Sequence, residues 1–207
     1  RLSGTGIFQI FISTTSWVGL IKIIAGFGST AIAGNGIAMR VVLFALLPSW
    51  GMANAAATLV GQNLGAGRPD RAEQAVWRAA LYNLVFLGGA GLLFVVFSEP
   101  IVRAFNADPA VLGYGSSALR IVSAGFLFYA YGMVVTQAFN GAGDTWTPTL
   151  INLGCFWCWE IPVAWLLARP LGLGPNGVFT AVLLGFSAMA VVGVALFRRG
   201  RWKQVKV

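Results

Sequence analysis

Residues 177–197 read GVFTAVLLGFSAMAVVGVALF, a run without a charged side chain, preceded by Pro175 and followed by Arg198 and Arg199. A helix that crosses a bilayer needs about 20 predominantly apolar residues, and this stretch supplies them. Outward from it, five more stretches meet the same requirement, at 7–27, 37–63, 74–97, 114–139 and 149–168. The breaks between them carry turn chemistry: Gly28-Ser29-Thr30, Gly65 to Asp70, Ser98 to Pro109, Gly141 to Asp144, and Arg169 to Gly177. The expected fold is an all-α integral membrane bundle of six transmembrane helices, a single lobe over residues 1–207 in which 198–207 form a basic tail. Composition agrees, with 57% hydrophobic residues, 10% charged and a mean hydropathy of +0.78, against roughly 25% charged in a soluble domain.

The net charge of +8 would point to nucleic acid in a soluble protein, but no basic surface interleaved with aromatics exists to carry such binding. Five of the fourteen basic residues fall in the last ten positions, as expected of a tail lying on anionic headgroups. Because cytoplasmic segments retain Lys and Arg, both termini are placed inside. That side then collects Arg1, Arg68, Arg71, Arg78, Arg198, Arg199, Arg201, Lys203 and Lys206, against Lys22, Arg40, Arg103, Arg120 and Arg169 opposite. Cys155 and Cys158 lie three apart, a spacing that seldom suits a disulfide within a helix, and read as packing residues. Without histidine, zinc or haem has almost nothing to bind, so no cofactor is expected. With no paired intramembrane acids and no serine in a strained turn, enzymatic chemistry is not expected either.

Gln62-Asn63-Leu64-Gly65-Ala66-Gly67 returns in outline as Gln137-Ala138-Phe139-Asn140-Gly141-Ala142-Gly143. Two spans separate the copies, so both Gly-Ala-Gly turns fall on one side, and each glycine can end a helix by taking a positive φ. Asp144 or Thr145 is then placed to cap the next helix, with Pro148 in its first turn. The segment Val60-Gly61-Gln62-Asn63-Leu64-Gly65-Ala66-Gly67-Arg68-Pro69-Asp70-Arg71-Ala72 resembles the loop after the eighth helix of transporters of the multidrug and toxic compound extrusion (MATE) family. Asn140 to Thr145 with Trp146-Thr147-Pro148 resembles that family's loop after the tenth helix, and Ile32 to Ala38 its entry to the eighth. Gly172 to Val178 and the tail Arg198 to Lys203 resemble its last loop and terminus.

The resemblance implies the C-terminal six-helix lobe of a twelve-helix antiporter in the inner (plasma) membrane. Such an antiporter exports organic cations and other amphipathic solutes against inward Na⁺ or H⁺ by rocking one lobe against the other. The implied partners are an N-terminal lobe or a second copy, the bilayer and the amphipathic substrate; the chain, starting at Arg1, reads as a fragment or an excised half. A flippase for lipid-linked saccharides shares the broad architecture and is the alternative.

In lipid an unpaired polar group costs several kcal/mol, so polar stripes mark faces with partners or a cavity. Gln9, Ser13 and Ser16 form one on the first span, and Asn54, Thr58 and Gln62 one on the second. Tyr129, Thr136, Gln137 and Asn140, with Met133 between them, group on the fourth. Each reads either as interhelical hydrogen bonding or as cleft lining. Glu160 is the acid deep in a span, with Pro162 removing the backbone bond to the Cys158 carbonyl. It reads as the coupling-ion group, as the partner of Arg120 or Lys22 in an ion pair, or as a silent protonated acid. Some Na⁺-coupled members of the family carry a glutamate in the seventh helix and an aspartate in the tenth. Those positions fall near Ser13 and on Tyr129 here, so the resemblance places the coupling acid of such a protein in the other lobe.

Overall fold

The computed structural model describes residues 2–204, with side chains from Thr5 onward; Arg1 and Lys206, counted above among the inner basic residues, lie outside it. Helix α1 runs Leu2–Ala25, α2 Ser29–Gly65 and α3 Pro69–Val96. A short α4, Ser98–Arg103, occupies the connection to α5, Pro109–Ala124, which continues into α6, Phe126–Gly141. Next comes one rod made of α7 (Trp146–Asn152), a π-helical segment (Leu153–Glu160) and α8 (Ile161–Ala168). α9, Pro175–Arg198, and a 3₁₀ turn, Arg201–Gln204, close the lobe. Among the described residues, five of these stretches are long and apolar enough to cross a membrane, and the bent α5–α6 pair makes a sixth.

Three spans differ from the straight helices that hydrophobic periodicity predicts. The fourth bends by 55° at Gly125, where the amide of Gly125 turns back to Val122 and Tyr129 restarts the ladder on the Gly125 carbonyl. The second is a single helix of 37 residues with Pro48 inside it. In the fifth, the α pattern widens to π just ahead of Pro162, where the proline ring would press on the carbonyl of residue 158 in α geometry. The Ile161 amide accordingly donates to Phe156, five residues back.

α2 packs on α3, α5 and α6, while α9 packs on α6, α8 and α5; α1 lies at the margin, against α7, α8, the π segment and α2, with a smaller contact to α9. Close approach is bought with glycine at the crossings. A Cβ on Gly141 would lie 2.7 Å from the Ala57 Cα, and one on Gly34 2.8 Å from the Gly115 amide. Both Gly-Ala-Gly turns have the same geometry: Gly67 and Gly143 take φ of 68° and 81°. In each, the following amide reaches back five positions, Arg68 to Asn63 at 2.8 Å and Asp144 to Phe139 at 3.0 Å. Asp144 then accepts from the Thr147 amide and hydroxyl at the start of α7.

The start of the tail packs into the lobe. Trp202 is 1% exposed, stacks on Phe197 at 4.6 Å and donates its indole N–H to the Phe197 carbonyl. Lys203 pairs with Glu73 at 2.6 Å and Asp70 at 3.3 Å on the first turns of α3, and its ammonium is held above the usual lysine range chiefly by Glu73.

Candidate functional site

A ladder of side-chain amides crosses three helices at the end of the lobe that carries the Gly-Ala-Gly turns. On α1, Gln9 donates to the Asn140 Oδ1 at 3.2 Å and to the Thr145 carbonyl at 3.1 Å. On α6, Asn140 donates to the Gln137 Oε1 at 2.7 Å, and Gln137 donates to the Asn54 Oδ1 of α2 at 3.2 Å. Gln9, Gln137 and Asn140 are half-buried and Asn54 is exposed, so the ladder is a surface strip rather than a sealed knot. Each amide still has donor or acceptor capacity left for a solute. Thr58 and Gln62, one and two turns beyond Asn54, continue the strip as exposed side chains; the Thr58 hydroxyl donates to the Asn54 carbonyl.

A second polar locus is interior. Glu160, at the end of the π segment, is 2% exposed and its carboxyl has the Ser16 hydroxyl of α1 as hydrogen-bonding neighbour. Ser16 also reaches the Phe156 carbonyl at 3.4 Å. The aliphatic part of Glu160 lies flat on α9, where a Cβ on Gly185 would sit 3.0 Å from its Cβ, Cγ and Cδ. The ion pair with Arg120 or Lys22 is not made: among the described residues no salt bridge reaches Glu160, and Arg120 donates to the Ser98 hydroxyl at 3.0 Å.

Residues 6–166 match the model of the MatE family. The chain belongs to the MatE family. It is 24% identical over 194 residues to the probable multidrug resistance protein NorM of Thermotoga maritima, covering 94% of this chain and 42% of that protein. It is 32% identical over 178 residues to the probable multidrug resistance protein NorM of Rhodopseudomonas palustris, covering 82% and 37%. Among solved structures, the MATE transporter ClbM in complex with Rb⁺ superposes with a TM-score of 0.90 at 24% identity, over 97% of this chain and 47% of that one. The chain therefore spans less than half the length of the relatives it matches.

Within this MatE lobe, the residues singled out from sequence separate into two groups. Gln9, Asn54 and Gln137, from three different spans, meet in the amide ladder together with Asn140. Ser13 is exposed and donates to its own helix at the Gln9 carbonyl. Tyr129, Met133 and Thr136 face inward instead of lining an open surface. Tyr129 is 1% exposed, packs on Phe186 with centroids 4.1 Å apart and directs its hydroxyl to the Val182 carbonyl. Met133 receives the Ser49 hydroxyl, and the buried Thr136 hydroxyl has no hydrogen-bond partner among the described residues. After the bend at Gly125, α6 runs between α2 and α9, so that Tyr129 packs on α9 and Met133 on α2. Sequence reasoning missed Trp157, whose indole donates to the Ile12 carbonyl of α1 at 3.1 Å; a tryptophan in an apolar run carries no signal of such a bond.

Proposed function

We propose that the chain is the C-terminal lobe of a cation-coupled exporter of organic cations and other amphipathic solutes, working by alternating access in the inner membrane with both ends of the lobe cytoplasmic. The observation that carries this is the amide ladder Gln9–Asn140–Gln137–Asn54. It is uncharged, partly open and built across three helices, as a wall that takes many substrates weakly should be. The similarity to relatives named as probable multidrug resistance proteins supports the same reading. The companion lobe supplies the facing wall, and Na⁺ or H⁺ drives the cycle. The lobe is not an enzyme in this scheme. The test is efflux of a cationic dye from proteoliposomes holding this lobe with its companion half. Gradient-dependent efflux, with a raised KM in Gln137→Ala and Asn54→Ala, is the expected result. Gradient-insensitive movement of a lipid-linked saccharide, with no dye efflux, would establish the flippase alternative in its place.

A further inference from the structure

We infer that Glu160 is a proton-binding site whose occupancy sets how α1 is seated on the lobe, so that this lobe takes up and releases a proton during the cycle. The site itself stands on the geometry alone; its consequence for transport rests on the export function proposed above.

α1 presents Ser16, α9 presents the bare backbone at Gly185, α6 presents Tyr129, and the π segment presents Cys155. α7 and α8, which also pack on the π segment, carry no titratable side chain. Tyr129 and Cys155 are the titratable groups that face it, and neither supplies a positive charge. A carboxylate sealed here would have one hydroxyl for support, and that hydroxyl is shared with the Phe156 carbonyl. Burying a charge without a counter-charge is strongly disfavoured over the neutral acid, so the conformation described is that of the protonated side chain.

A metal cation fits poorly in the same place. Hard cations are held by several oxygens at once, whereas the side-chain oxygens available here are those of Glu160 and Ser16, the Tyr129 hydroxyl being directed to the Val182 carbonyl. Gly185 and the Tyr129–Phe186 ring pair leave no space for more on the α6 and α9 sides. A proton needs neither extra ligands nor room.

Loss of that proton has one outlet. α6 and α9 are central, whereas α1 is peripheral, with Ile7, Phe8, Ile10, Phe11 and Val18 turned outward. Its polar contacts to the rest of the lobe include Thr5 to the Thr145 hydroxyl, Gln9 to Asn140 and Thr145, the Trp157 indole to the Ile12 carbonyl, and Ser16; all but the last two lie at the end away from Glu160. A deprotonated Glu160 draws water, and water enters by shifting α1 away from the π segment. The same helix carries Gln9, so the proton site and the amide ladder are mechanically joined.

The transporter comprising this lobe and its companion half, in lipid nanodiscs, tests the site without any substrate. Infrared difference spectra across a pH step should show a protonated-carboxyl band that disappears in Glu160→Gln. Amide exchange of residues 9–20, corrected for its intrinsic pH dependence, should accelerate on deprotonation in the wild type and stay constant in Glu160→Gln. Sodium added at fixed pH should change neither signal. Ser16→Ala leaves the acid in place, guards against misfolding of the first variant, and should shift the midpoint at which the band titrates. In proteoliposomes, Glu160→Gln should lose stimulation by a proton gradient while retaining downhill substrate exchange. The inference is overturned if no titrating band depends on Glu160, if α1 exchange ignores pH, or if Sodium acts through Glu160. If the spectroscopic results hold but the wild type moves no dye, the export function fails and the proton site stands.

Discussion

At the level of single residues, the amide ladder and the inward-facing hydroxyls call for opposite outcomes. Asn140 is the junction, bonded to both Gln9 and Gln137. Asn140→Ala should lower thermal stability in detergent by about 1 kcal/mol. A double-mutant cycle with Gln9→Ala should return a coupling near ~0.6 kcal/mol, the average for hydrogen bonds between membrane helices. Thr136 is the contrasting case, since its buried hydroxyl lacks a partner among the described residues. Thr136→Val should leave the melting temperature unchanged or raise it, by up to about 1 kcal/mol in stability; a clear loss would mean the hydroxyl has a partner in the membrane. From sequence, the stripe on the fourth span looked continuous from Tyr129 to Asn140. Only its last turn reaches the surface, because helical periodicity says which residues share a face but not which way a bend turns that face.

Among the helical elements, contacts are decided where backbones meet. Gly141 touches the α2 backbone at Ala57, whereas Gly65, at the equivalent place in the first Gly-Ala-Gly turn, looks onto open space. Gly141→Ala should therefore cost about 1–3 kcal/mol by overpacking and loosen the α2–α6 crossing beneath Asn54 and Gln137. Gly65→Ala should be near neutral, and paired unfolding measurements check both. The two turns read as equals in the sequence, and in their hydrogen bonding they are. Their packing differs because one faces a neighbouring helix and the other does not, a fact fixed by tertiary arrangement. The apolar runs were sufficient to locate the spans, since twenty apolar residues in lipid have no alternative to a helix. They carried no sign of the short α4 or of the bend at Gly125.

For the lobe as a whole, the tail binds the last helix to the start of α3. Trp202→Ala should destabilise the lobe by about 3–5 kcal/mol, as loss of a buried aromatic does, in thermal unfolding followed by tryptophan-independent light scattering. The Lys203 contribution has a defined pH window. Its pKa is raised in the folded lobe, so its stabilisation is complete below the ordinary lysine value and is lost as pH rises through the higher folded one. Alkaline unfolding should consequently begin earlier for wild type relative to neutral pH than for Lys203→Met, which has no such pair to lose. Reading the tail as a run of positive charge was correct for its composition but did not show that Trp202, within the same run, is buried against Phe197. The π segment bears on the lobe's history. A π turn closes i→i+5 where an α turn closes i→i+4, so the segment holds one residue more than an ordinary helix of the same sweep, and deleting one codon within 153–160 would leave α7 and α8 near their present faces. A gene could thus have gained or lost a residue beside Glu160 through one three-base insertion or deletion without re-aiming either flank of the rod.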